Sequence, residues 1–348
     1  MKLSLAMIVR DEERTVGRVL AEAATFCDEL VVVDTGSRDE TRSIARTQGA
    51  RIYDFPWLDD FSAARNFSFE QCRSEWIVWL DADDGVEPDV QRRFAALHFE
   101  SATHDVIYTP YRDALPGDGG DRGVVCYRER VIRRAAGLRW DGIVHEGITT
   151  MASRVLVRSD LPIDHHSTSE RRERSKQRNL RILAAAVAQG RRTPRTLYHL
   201  AGELALQSRH REALDRWEEY LGINTLRWER YAALVHAARS SRAVGDLDRA
   251  MAYCRQAVEL DTGRAEAYVE IARMHCDAER WREAMPYLRA AAGLAHPGSG
   301  FVNPAAYSWL PWQMLAICYS RLGDGPTAQD AARRAAALGA PSSLYSVG

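Results

Sequence analysis

Trp76-Ile77-Val78-Trp79-Leu80-Asp81-Ala82-Asp83-Asp84-Gly85 is an apolar, β-rich run that stops on carboxylates and a turn. Such a run reads as a buried strand, so its acids emerge at the carboxyl end of a sheet, where open α/β sheets bind ligands. Close carboxylates repel one another and raise at least one pKa unless a cation sits between them. Oxygen ligation suits a hard ion, Mg²⁺ or Mn²⁺, that already carries phosphate. The expected ligand is therefore a metal-bound phosphate ester. Two acids in a surface turn are more often merely solvated, so the surrounding chain has to carry the reading further.

Working outward, the N-terminal part alternates strand signals over Leu3–Val9, Glu29–Val33, Ala50–Phe55 and Glu75–Leu80 with helix signals over Thr15–Phe26, Arg38–Gln48 and Phe61–Arg73. That alternation predicts a mostly parallel, Rossmann-like α/β sheet covered by helices. After the second strand, Asp34-Thr35-Gly36-Ser37-Arg38-Asp39-Glu40 offers free backbone N–H groups, an acid at a strand end and capping-box spacing between Ser37 and Glu40. Asp34 either accepts from a nucleobase or sugar or only shapes the turn.

The 348 residues suffice for two domains, and 46% hydrophobic with 27% charged residues is ordinary soluble composition. A net charge of −1 argues against general affinity for nucleic acid or acidic membranes. Cys27, Cys72, Cys126, Cys254, Cys276 and Cys318 are scattered without a Cys-x-x-Cys pair, so reduced packing cysteines in a cytoplasmic protein are expected. Leu3–Val9 is too short for a secretory core and runs into Arg10-Asp11-Glu12-Glu13, and no later stretch approaches the length of a membrane span.

Val9-Arg10-Asp11-Glu12-Glu13, Asp34-Thr35-Gly36-Ser37-Arg38-Asp39-Glu40-Thr41, Phe61-Ser62-Ala63-Ala64-Arg65-Asn66 and Trp79-Leu80-Asp81-Ala82-Asp83-Asp84, in this order, resemble the signature of family 2 glycosyltransferases with the GT-A fold. Leu138-Arg139-Trp140-Asp141-Gly142-Ile143-Val144-His145-Glu146 resembles an element of the subgroup that holds lipopolysaccharide-core and peptide glycosyltransferases, and Leu161-Pro162-Ile163-Asp164-His165 its late strand and histidine. The resemblance implies that Val9, Arg10, Asp11 and Glu12 line a nucleotide pocket, that Asp34 reads the base, and that Arg65 approaches the diphosphate. It places Asp81 and Ala82 beside the nucleotide, and Asp83 on the divalent ion with Asp81 and His165 completing its shell. A cation bridging the phosphates stabilises the leaving group. The bland alternative for Arg65 is a surface pair with Asp59 or Asp60. Inverting transfer also needs a carboxylate base: Glu146 is the first candidate and Asp141 the second, with His145 orienting base or acceptor. The donor implied by the family is a uridine diphosphate sugar.

Arg112 to Gly123, rich in Gly, Pro and Asp, reads as a lid beside the site or an ordinary surface loop. The arginines of Arg128–Arg134 belong either to a solvated face or to the surroundings of an anionic donor. From Glu170 the pattern turns to helices, beginning with a connector over Arg171–Gln189. Ala213, Ala250, Ala284 and Ala328 recur in helix contacts, each preceded at a fixed distance by Ala201, Ala238, Ala272 or Ala316 and, earlier, by Leu197, Leu234, Tyr268 or Trp312. Steps of 37 and 34 residues bracket the tetratricopeptide period, with a longer last step from an insert around His296 to Pro304. Small and large residues alternating at helix crossings resemble a tetratricopeptide array.

The expected organisation is a GT-A domain over 1–168, a connector over 169–192 and a helical repeat domain over 193–348. The expected function is metal-dependent, inverting hexosyl transfer from a nucleotide sugar to a peptide or protein acceptor held by the repeats, whose exposed tryptophans, Trp217, Trp228, Trp281 or Trp309, anchor it and whose ends offer a homodimer surface. Rival readings are transfer to a lipid-linked or surface glycan, a nucleotidyltransferase, and a non-catalytic scaffold on an inactive transferase fold.

Overall fold

The computed structural model describes residues 3–97, 104–113, 124–150, 153–166, 168–297 and 303–341. The chain divides into two compact units, Met1–Ala185 and Ala186–Gly348. The first contains strands β1 (Leu3–Val9), β2 (Glu29–Asp34), β3 (Arg51–Asp54), β4 (Trp76–Trp79), β5 (Asp84–Gly85), β6 (Val106–Asp113), β7 (Val124–Arg133), β8 (Trp140–Asp141), β9 (Gly147–Ile148), β10 (Val155–Val157) and β11 (Ile163–His165). Its helices are α1 (Val16–Ala23), α2 (Thr41–Thr47), α3 (Phe61–Gln71), α4 (Pro88–Ala95) and all but the last three residues of α5 (Ser169–Ala188). Residues 114–123, where the sequence suggested a lid, lie outside the described residues.

One sheet runs in the order β3-β2-β1-β4-β7-β6-β11-β5, with β10 also on β6. The strands β3-β2-β1-β4 are parallel throughout, as expected. Beyond β4 the sheet becomes mixed, because β7 runs antiparallel to both β4 and β6, and β5 antiparallel to β11. This reversal matters for the site. With Trp76 opposite Arg133 and Val78 opposite Val131, the residues preceding Val131 lie past the end of β4, beside its acidic turn.

Strand periodicity divides β4 between the two faces of the sheet. Trp76, Val78 and Leu80 join Leu3, Leu5, Met7 and the α1 residues Val16, Val19 and Leu20 in one core, while Ile77 and Trp79 pack with Phe69 and Trp140 on the other side. The capping box expected at Ser37 and Glu40 does not form. Helix α2 starts at Thr41 without a side-chain cap from Glu40. Ser37 Oγ instead accepts from Asp11 N at 3.0 Å, and Asp39 Oδ1 takes the Thr41 N–H at 3.0 Å. The loop also lacks the expected free donors. Gly36 and Ser37 give their N–H groups to Asp34, Arg38 to Asp11, and Glu40 to Glu13. The carboxylates of two neighbouring loops lace this turn to the end of β1.

The second unit is built, among the described residues, from α6 (Pro194–Leu206), α7 (His210–Ile223), α8 (Arg227–Ala243), α9 (Leu247–Leu260), α10 (Ala265–Asp277), α11 (Trp281–Ala292), α12 (Trp309–Arg321) and α13 (Gly325–Ala337). Both alanine series are buried, Ala201, Ala238, Ala272 and Ala316 on the first helix of each pair and Ala213, Ala250, Ala284 and Ala328 on the second. Small side chains let the axes approach, and the larger side chain sixteen residues upstream of the second alanine fills the space where the helices splay. The unit is thus a tetratricopeptide-like array. Trp217 is 1% exposed and belongs to the core, whereas Trp228 is 48% exposed. Cys72, Cys254 and Cys318 are buried packing residues, but Cys126 is exposed. No helix among the described residues is long and apolar enough to cross a membrane.

Candidate functional site

A cleft of about 430 Å³ opens at the carboxyl ends of β1 and β4. Its lining includes Val9, Arg10, Glu12, Arg65, Asp81, Ala82, Asp83, His145, Glu146 and His165, drawn from segments far apart in the chain. Three of the sequence candidates do not line it. Asp11 accepts from Arg38 N, Asp34 is buried with Oδ1 engaged by its own turn, and Asp141 is exposed on β8.

Helix α3 explains how the distant segments meet. Asp60 caps it by accepting from Ala63 N at 3.0 Å. Its next residues hold the loop after β8: Phe61 N donates to Ile143 O at 2.9 Å, and the Asn66 amide bonds both backbone groups of Trp140 at 2.9 and 3.0 Å. That loop presents Glu146 to Arg65, whose Nε lies 2.6 Å from Glu146 Oε1 and whose Nη2 lies 2.8 Å from Asp81 Oδ1. Arg65 does not pair with Asp59 or Asp60. It is 7% exposed, with its guanidinium 4.6 Å from the Trp79 ring and 5.0 Å from the Trp140 ring. Burial would strip its proton, but Asp81 and Glu146 outweigh that and raise its pKa.

The three acids of the turn have different surroundings. Asp84 is wholly buried. Its Oδ2 accepts from Asp81 N at 2.9 Å and from Arg130 Nη1 at 2.9 Å, and its Oδ1 from the Tyr111 hydroxyl at 3.2 Å. Burial pushes the Asp81 carboxyl up, but Arg65 and then Arg130 overrule this and hold it down at about 2. Asp83 experiences burial and the charge of Asp81, which push it up to about 6 although His165 acts the other way. The antiparallel pairing of β11 with β5 sets His165 opposite Asp84. Its buried Nδ1 has no hydrogen-bond partner and lies 3.7 Å from Asp83 Oδ1 and 3.5 Å from Asp84 Oδ1. Burial would lower the pKa of His165, but the neighbouring Asp84 and Asp83 carboxylates raise it.

Asp83, Asp84 and His165 each offer a ligand atom, all within 4.8 Å of one another. An unpartnered imidazole nitrogen facing two carboxylates fits a divalent cation. Asp83 and His165 were expected together; the acid that joins them is Asp84, while Asp81 turns to Arg65. Sequence reasoning counted Asp84 among the carboxylates of the turn but did not make it a ligand, because its place is set by strands β7 and β11, far along the chain. It also left Arg128–Arg134 open between two readings. Arg128 and Arg130 line the cleft, whereas Arg133 pairs with Asp105 and Arg134 donates to Ser74 O. Trp57, Tyr111, Arg171, Ser175, Arg178 and Asn179 also line the walls and were not singled out for the site from sequence.

Residues 4–155 match the family model described as Glycosyl transferase family 2. Among curated proteins, the chain is 49% identical over 83 residues to a TPR repeat-containing protein of Synechococcus elongatus, covering 24% of this chain and 21% of that one. It is 32% identical over 90 residues to an uncharacterized glycosyltransferase of Rickettsia typhi, covering 26% and 30%. It is 25% identical over 228 residues to the SPbeta prophage-derived glycosyltransferase SunS of Bacillus subtilis, covering 61% and 51%. The matched parts therefore span from a fifth to a half of these relatives.

Proposed function

We propose that the cleft moves a hexose, with inversion, from a nucleoside diphosphate sugar, probed first as a UDP-sugar, to a peptide or protein acceptor, in a divalent-metal-dependent reaction. The observation that carries this reading is the charge of the cleft. Arg10, Arg65, Arg128, Arg130, Arg171 and Arg178 line the cleft together with Asp83 and His165, which cluster with the buried Asp84, so the walls suit a polyanion and the acids its counter-cation.

Asp83, Asp84 and His165 would hold a Mn²⁺ or Mg²⁺ ion, which supplies Lewis-acid stabilisation to the departing diphosphate. Val9, Arg10 and Glu12 face the nucleotide from the end of β1. Glu146, fixed by Arg65, takes the proton of the acceptor nucleophile as that atom bonds to the anomeric carbon. The bond from the anomeric carbon to the diphosphate oxygen breaks, the electron pair leaves with the nucleoside diphosphate, and the proton stays on Glu146. Asp141 lies off the cleft, which leaves Glu146 as the proposed base, with His145 beside it in a left-handed conformation at φ 54°. The helical array supports a polypeptide acceptor, because stacked helix pairs present extended surfaces suited to a chain.

Product analysis tests the reaction class. A nucleoside diphosphate should appear, while pyrophosphate would identify a nucleotidyltransferase. Glu146→Gln should keep donor affinity and lose transfer by roughly 10²–10⁴-fold, the usual range for a positioned acid or base. Near-normal turnover in that variant removes Glu146 from the mechanism.

A further inference from the structure

Helix α5 begins beyond residue 155, where the family match ends, yet it walls the cleft with Arg171, Ser175, Arg178 and Asn179. Their spacing, i, i+4, i+7 and i+8, is one face of a helix. Arg181 pins this helix, with both terminal nitrogens 2.8 Å from Asp59 carboxylate oxygens, and the Arg178 guanidinium lies 4.7 Å from the Phe61 ring centroid.

Arg171 reaches the floor. Its Nη1 lies 3.2 Å from Asp83 Oδ2, and its Nη2 pairs with Glu12. An exposed arginine on a single acid would be an ordinary surface pair. This side chain is 24% exposed and bridges acids from the ends of two different strands, one of them at the candidate cation site. A divalent ion arriving at Asp83 repels the guanidinium, and a phosphate arriving with it offers a planar, bidentate replacement for the lost carboxylate.

We propose that Arg171 is a donor-phosphate-binding residue that rests on Asp83 and Glu12 without donor and passes to a diphosphate oxygen when donor and cation enter, with Glu12 as the pivot. This rests on reading the cleft as a nucleoside diphosphate sugar site. It has an unusual consequence: removing Arg171 frees Asp83 for a cation by itself but takes away a contact to the phosphate.

The test is calorimetric titration of the full chain with Mn²⁺ alone, and with UDP or GDP at saturating Mn²⁺, for the wild type, Arg171→Ala and Arg171→Lys. Thermal melts establish that each variant is folded. Arg171→Ala should bind Mn²⁺ alone roughly threefold or more tighter, by loss of a competing cation. It should bind the nucleoside diphosphate roughly tenfold or more weaker, by loss of a charge-assisted bond. Arg171→Lys, which keeps the charge but not the fork, should fall between. Unchanged diphosphate affinity in Arg171→Ala overturns the proposal while leaving the donor site standing, and so does parallel loss of both affinities, which indicates a merely structural arginine. A wild type that binds neither UDP nor GDP sinks the donor-site reading and this proposal together.

Discussion

In the sheet unit several of the charged groups that the fold hides gather at the cleft, Arg65 and Arg130 in its lining and Asp84 in contact with Arg130, whereas in the helical unit the hidden positions that repeat are alanines. The acids buried in the helices play another part. Glu266 accepts from the hydroxyls of Tyr231 at 3.3 Å and Tyr307 at 2.8 Å, so it ties one repeat to the next. Burying an ion costs several kcal/mol before its partner offsets the loss, and an apolar core of the same shape is often as stable. The arginines and carboxylates gathered at the open ends of these strands are the groups that the proposed function gives to donor and cation. The buried alanines need no such explanation, since close helix contact alone requires them.

This contrast can be broken experimentally, beginning where the effect should be largest. Arg130→Met leaves the buried Asp84 carboxylate without its cation and should destabilise the chain by about 3–5 kcal/mol in urea denaturation. A loss below about 1 kcal/mol would mean that water reaches Asp84 and that the charge is not truly buried. In the helical unit, Ala272→Leu should overpack a position with 0% exposure and cost about 1–3 kcal/mol, while Ala336→Leu on an exposed face should stay within about 0.5 kcal/mol. Equal effects at the two alanines would contradict the role given to the repeat.

A smaller effect should follow pH. His236 stacks on Trp217 with ring centroids 5.3 Å apart, and burial, helped by Arg239, lowers its pKa to about 4. The unfolded chain therefore binds a proton that the fold refuses between the ordinary histidine value and about 4. The contribution is fully present at neutral pH and fades as pH falls through that window. For a partly buried ring the loss should be about 1–2 kcal/mol by pH 4. The slope attributable to this residue should vanish in His236→Gln; an unchanged profile assigns the acid sensitivity elsewhere.

The same contrast explains what the sequence discloses. The parallel strands β1 to β4 and the alanine repeat are legible because each signal lies within a few residues or recurs at a fixed interval. The four motifs are legible too, and the structure adds why they travel together: Phe61 and Asn66 dock the loop that brings Glu146 to Arg65. What sequence hides is partnership at a distance. Nothing near Asp84 foretells Arg130, 46 residues away on an antiparallel strand. Nothing near Glu12 foretells Arg171 on α5. The unformed capping box at Ser37 is the converse case, in which a valid local signal loses to hydrogen bonds from the neighbouring loop.

In the proposed reaction Asp83, Asp84 and His165 hold a cation that in turn holds the donor's diphosphate. The most direct measurement is the melting temperature of the full chain with UDP-sugars in the presence of Mn²⁺ or of EDTA, for the wild type and Asp83→Asn. Ligand that binds only the folded state raises the melting temperature, so the account predicts a rise that needs both nucleotide and ion and disappears in Asp83→Asn. An equal rise in EDTA, or one that Asp83→Asn leaves intact, would contradict it.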